Sequence, residues 1–189
     1  MDVAAQELLD FWLGEIGPEG WFKVDEALDT RIRDRWQPLW EEARDGKLIE
    51  WTVAPRSSLA LLILLDQFPR NMFRGSAQAF SSDRRALSVT RSAILRGQDR
   101  RVELSERSFF YLPLMHSEVQ ADQDRSVRLY LIAFGHDENL RHAKAHREII
   151  RRFGRFPFRN AALGRTNTAD ETAFLEAGGY LKLLDEIAA

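Results

Sequence analysis

The sequence predicts an all-α fold of about eight to ten helices with short connections. Three observations carry this expectation. Apolar residues recur at three- and four-residue spacing along most of the chain. No alternating run exceeds a few residues, and Val102-Glu103-Leu104 is too short to count as a strand. Glycine or proline interrupts the periodicity at intervals typical of helices. At 189 residues with 44% hydrophobic side chains, the chain can bury a sizeable core, and one domain over 1–189 is expected.

Val3 to Leu13 places Leu8, Leu9, Trp12 and Leu13 on one helical stripe, and Gly14 with Gly17-Pro18 is expected to stop it. Asp25 opens a second helix with Leu28, Ile32, Trp36 and Trp40 inward; Pro38 is expected to kink or split it. Arg56 to Phe68 is apolar nearly all round, as a covered central helix would be. Pro69 is expected to end that helix by forcing Phe68 out of helical geometry. Ser81 or Ser82 should cap the next helix, which Gly97 closes. Ser105 is read as the cap of a helix over 106–112, and Pro113 as the start of another turn. A helix over 126–134 closes at Gly135, with Asp122-Gln123-Asp124 read as a break before it. A long amphipathic helix from Asp137 to Phe153 has Leu140, Ala143, Ile149 and Ile150 inward. Thr168 and Glu171 have capping-box spacing, and Gly178-Gly179 separates that helix from a terminal one.

Composition removes several function classes. The net charge of −2 argues against nucleic acid as a partner. With no cysteine, disulfides, thiolate metal sites and a cysteine nucleophile are excluded. The first residues lack the basic and apolar regions of a signal peptide, and the run from Leu59 to Leu65 is too short to span a bilayer. A soluble cytoplasmic protein with no membrane partner is expected. Charge is unevenly spread: the first fifty residues are rich in acids, whereas 141–165 carries eight basic residues against Glu148.

The most distinctive string is Arg152-Phe153-Gly154-Arg155-Phe156-Pro157-Phe158-Arg159-Asn160, where the long helix stops. It has an upstream echo in Gln67-Phe68-Pro69-Arg70-Asn71. Each Phe-Pro turn is followed by arginine then asparagine, and guanidinium forks suit carboxylates and phosphates. The candidate ligand-binding residues are therefore Asp66, Gln67, Arg70, Asn71, Arg74, Arg152, Arg155, Arg159 and Asn160. An alternative reading has Asp66 and an arginine simply pinning the turn. His116, Ser117, Glu118 and Gln123 interrupt an apolar stretch and join the candidate set, as does His146. His116 can face Gln120 one turn on. No nucleophile elbow surrounds Ser117. His142 and His146 have zinc-compatible spacing, but basic neighbours oppose a cation, so neither a metal nor a cofactor is expected. His142 is expected to face solvent and His146 the core or a pocket wall.

At Asp10-Phe11-Trp12, Asp66 to Gly75, Ala79-Phe80 with Asp83, Leu112-Pro113 with Met115 to Glu118 and Gln123, and His146 to Arg165, the chain resembles the bacterial domain of unknown function 924 family. The resemblance covers nearly the whole chain. It implies a tetratricopeptide-like superhelix of antiparallel helix pairs and brings no established activity. Members often carry histidine where this chain has Phe158. The resulting expectation is a protein that binds an anionic small molecule or acidic peptide in an Arg/His-lined pocket. Two alternatives stay open: an enzyme on an anionic small molecule with His116 as acid or base, and a structural or oligomerising module. The oligomeric state is not legible.

Overall fold

The computed structural model describes residues 2–187. Among them the fold is all-α, with no strand, and no helix is long and apolar enough to cross a membrane. The chain divides into two compact units, Met1–Pro113 and Leu114–Ala189.

In the first unit, α1 (Val3–Leu9) starts on the Asp2 carboxylate, which accepts from the Ala4 and Ala5 amides. Gly14 does not stop the helix. The chain continues through a wide π-type segment, Asp10–Ile16, which buries Phe11 and Trp12 and ends where Gly17 turns to φ +66°. After the single turn α2 (Gly17–Gly20), Asp25 caps α3 (Glu26–Arg44) as expected. Pro38 lies inside α3 without splitting it. Burial of Trp36 and Trp40 on either side of the proline holds the helix through the missing hydrogen bond.

The central helix behaves differently from its sequence reading. α4 (Pro55–Leu62) has Pro55 in its first turn and buries Leu59 to Leu62 without interruption. It widens over Ile63–Gln67 and runs directly into α5 (Phe68–Met72), with Phe68 at φ −58°, ψ −42°. Pro69 therefore does not terminate the helical path. It has no N–H to offer the preceding turn, and the Leu65 carbonyl instead accepts from Ser82 Oγ at 2.6 Å. Ser82 Oγ itself accepts from Trp40 Nε1 at 3.0 Å. Ser82 stands at the N-cap of α6 (Asp83–Leu95), yet its side chain makes no cap bond because it is spent on this bridge.

The helix expected over 106–112 is instead α7 (Leu104–Arg107), a 3₁₀ turn at Ser108–Phe110, and α8 (Leu112–Met115). Phe109, Phe110 and Tyr111 are all buried, and three consecutive residues cannot share one face of an α-helix.

In the second unit, α9 (Gln120–Phe134) begins earlier than expected. Asp122-Gln123-Asp124 is helical, not a break, because Gln123 is buried and its Nε2 donates to the Met115 and Ser117 carbonyls at 2.6 Å. α9 forms a hairpin with α10 (Glu138–Phe153), which starts on Asp137 and ends at Gly154 with φ +69°. The capping box of α11 (Ala169–Glu176) forms as read, and α12 (Gly179–Glu186) follows the glycine pair. Ile149, Ile150, Phe156 and Leu183 form a core against which Phe153, Phe174, Tyr180 and Ile187 pack.

Ser82→Ala leaves both the Leu65 carbonyl and the Trp40 indole N–H unpaired in a buried place. Urea denaturation should show a loss of about 1–3 kcal/mol for each orphaned group. A loss under 0.5 kcal/mol, the scale of an inconsequential surface change, would refute the bridging role.

Candidate functional site

The first Phe-Pro turn is built around buried acids. Arg70 lies 2.9 Å from Asp83 and 3.4 Å from Asp66, and also donates to the Asp66 backbone carbonyl at 2.6 Å. Burial opposes the Arg70 charge, and the two carboxylates more than offset it, so its pKa is raised. Gln67 Nε2 donates to Asp66 Oδ2 at 2.6 Å. Arg74 grips Asp29 with two bonds of 2.9 Å, and Asn71 Nδ2 adds a third at 2.8 Å. The five expected residues of this turn thus fall into two assemblies within the first unit, Asp66, Gln67 and Arg70 with Asp83, and Asn71 and Arg74 with Asp29. Sequence reasoning missed Asp29 and named Asp83 only among the residues that carry the family resemblance. The signal for Asp29 was its place beside Leu28 and Ile32 on an inward stripe, where an acid must have a partner.

The second Phe-Pro turn follows the same rule. Glu118 accepts the Phe156 amide at 2.8 Å and both arms of Arg165 at 2.7 and 2.9 Å. Burial pushes its carboxyl up, but the Arg165 and Phe156 bonds prevail and lower its pKa. The buried Glu171 accepts from Arg155 at 2.6 and 2.8 Å and from Asn160 at 3.2 Å. The Arg155 hydrogen bonds lead in holding Glu171 down at about 2. Asn160 Oδ1 in turn accepts from Arg165 at 2.8 Å. Arg152, which is exposed, pairs with Glu148 at 2.7 Å. Ser117 Oγ donates to Asp122 at 2.7 Å and Gln123 holds the backbone before α9, so both shape the segment that carries His116 and Glu118.

Between these anchors lies a cluster of rings. His116 and His146 are 6.1 Å apart by centroid. His146 meets Tyr180 edge-on at 5.0 Å and Phe156 at 5.5 Å. Phe158 stacks on Phe156 at 5.2 Å, and the buried Arg159 guanidinium sits 4.5 Å from the Phe156 centroid. His146 Nδ1 is 2.9 Å from the His142 carbonyl. A carbonyl only accepts, so Nδ1 bears the hydrogen and Nε2 is left as an acceptor. Burial pushes the His146 pKa down to about 3, and the neighbouring His116 and Arg159 push the same way. His142 is half-buried, not solvent-facing as expected. Its ring stacks on Tyr180, whose hydroxyl is hydrogen-bonded with Nδ1, and burial lowers its pKa. Both Nδ1 atoms of the zinc-spaced pair are therefore already engaged. Gln120, proposed as the companion of His116, donates to Asp124 at 3.1 Å.

A family described as bacterial protein of unknown function (DUF924) matches residues 8–179. The chain belongs to the DUF924 family. A solved protein of unknown function from Agrobacterium tumefaciens is similar, at 42% identity and a TM-score of 0.88, covering 94% of this chain and 100% of that one. No curated protein matches the chain. The DUF924 match spans both Phe-Pro turns and the ring cluster, so the candidate residues all lie within the family's extent.

The depressed His146 pKa gives stability a direction with pH. From about pH 6.5 down to about 3 the unfolded chain binds a proton at this residue that the folded chain refuses. Stability is therefore fully present above pH 6.5 and falls on acidification, by at most about 1.4 kcal/mol per pH unit from this group. Urea midpoints between pH 7 and 5, above the carboxylate range, should show the decline, and His146→Phe should flatten it. An equal slope in that variant would place the titration elsewhere.

Proposed function

We propose that the protein binds an anionic small molecule or an acidic peptide at the ring cluster of the second unit. The observation that carries this reading is the clustering of His146 and Arg159 against Phe156, at 5.5 and 4.5 Å from its ring centre, with His116 6.1 Å from His146. His116 and Arg159 beside His146 oppose a further proton on it, whereas the hydrogen bond to the His142 carbonyl favours one. An incoming carboxylate or phosphate relieves that opposition. His146 Nε2 and Arg159 are the polar contacts, and Phe158 with Tyr180 supplies apolar surface beside them. Arg70, Arg74, Arg155 and Arg165 already neutralise acids of their own units and act on the shape of the fold.

One observation favours a second reading, that of an enzyme on an anionic small molecule. His146 is held neutral with an open acceptor nitrogen next to His116, which suits the receipt of a proton by one of the pair. The dense pairing of arginines with buried acids supports the third, structural reading. The α9–α10 hairpin is consistent with tetratricopeptide-like helix pairing.

A thermal-shift screen of carboxylated and phosphorylated metabolites and acidic peptides tests the proposal. At a hundredfold excess over Kd, a ligand should raise the wild-type Tm by about 5–10 °C. His146→Asn and Arg159→Met should lose the shift whatever their own Tm. Bound anion raises the His146 pKa, so affinity should rise as pH falls. A screen in which no compound shifts the wild type more than His146→Asn sinks the proposal.

A further inference from the structure

Away from the ring cluster, the second unit carries a groove of about 530 Å³. Two helical stripes line it. Asp170, Ala173 and Phe174 on α11 and Ala177 at its C-cap stand at the i, i+3, i+4, i+7 positions, and so do Gly179, Lys182, Leu183 and Glu186 on α12. Phe153, Phe174 and Leu183 are its less exposed, apolar part, while Lys182, Asp170 and Glu186 are exposed at its edges. The alanines and Gly179 keep the two helices from filling the space with their own side chains. Among the described residues, no side-chain hydrogen bond or ion pair engages Lys182, Asp170 or Glu186. The size falls within the range of binding cavities. The edge bears both signs of charge, so a purely anionic or purely cationic ligand meets a like charge.

The same unit carries a face of matching character. On α9, Ala121, Asp124, Arg128, Leu131 and Ile132 are all exposed and fall within one third of the helix circumference. Leu131 is 43% exposed and Ile132 71%. Arg128 has no ion pair among the described residues, and Asp124 has only a contact of 4.0 Å with Arg147 beside its bond from Gln120. This face offers two adjacent aliphatic side chains and one charge of each sign, one turn apart.

The geometry points to a second copy of this chain as the occupant of the groove: the outward face of α9 docks between α11 and α12 of its partner. Leu131 and Ile132 cover Phe174 and Leu183, Asp124 meets Lys182, and Arg128 meets the acids at the edge. This is an amphipathic helix laid in an apolar groove. Each copy has one groove and one face, so a two-fold arrangement makes the contact twice and closes as a dimer. His116, His146 and Arg159 take no part, so the inference stands independently of the proposed ligand site.

Sedimentation velocity of the full chain over a hundredfold dilution series tests it. The wild type should be dimeric at the upper end. Ile132→Glu and Ala173→Arg, both at exposed helical positions, should each raise the dimer dissociation constant at least tenfold while far-UV circular dichroism and Tm stay unchanged. Lys182→Asp should weaken the dimer, and adding Asp124→Lys should restore it by exchanging the charges. A wild type that stays monomeric throughout overturns the inference. So does a dimer indifferent to both single variants, or one broken by only one of them, because the contact needs both surfaces. His146→Asn should leave association unchanged.

Discussion

A carboxylate taken out of water must be met by donors, and this constraint organises both units. Asp29 and Asp66 in the first unit, and Glu118 and Glu171 in the second, each lie at the centre of an arginine or amide assembly. The pairing is directional as well as electrostatic. Arg74 and Arg165 bind their acids with two bonds each, which fixes the guanidinium plane and the chain that carries it. The turns around the two Phe-Pro dipeptides hold their shapes because of these acids. Glu118 is especially economical: one carboxylate gathers the Phe156 amide and Arg165, and so ties the segment before α9 to both ends of the connection after α10.

Proline placement shows the same dependence on distant donors. At Pro69 the local rule predicts a helix end, yet the helical path goes on because Ser82, thirteen residues later, supplies the missing hydrogen to Leu65. The wide segments at Asp10–Ile16 and Ile63–Gln67 bury Phe11, Trp12 and Leu64 to Gln67. A widened turn shifts the direction of every later side chain, and here it brings Asp66 and Gln67 into the interior with the polar atoms they need.

The ring cluster is the place where packing has created unusual chemistry. A histidine on the exposed face of a helix would titrate near 6.5. His146 is instead enclosed by Phe156 and Tyr180, faces His116, and rests its Nδ1 hydrogen on the backbone of His142. Enclosure and like charge act in the same direction, which gives a neutral imidazole in an electropositive setting.

Much of the helical order was legible in the sequence because it depends on neighbours close in the chain. Asp25 and Thr168 start the helices they were expected to start, and Gly154 ends α10, since caps are settled within a few residues. The inward stripe of α10 also followed from spacing alone. Helix ends at Pro69, Gly14 and Arg107 did not, because long-range burial of Phe68, Trp12 and Phe109 to Tyr111 overrode local preference. The two Phe-Pro strings could be recognised as special, and the histidines as candidates. Which arginines are spent and which polar atoms stay available was decided only by tertiary structure: Asp29 lies forty-five residues from Arg74, and Glu118 forty-seven from Arg165. The sequence determined periodicity, caps and charge content. The folded chain decided the partner of each charge, because electrostatic pairing follows distance in space, and a guanidinium cannot be known as free or committed until every acid within reach has been placed.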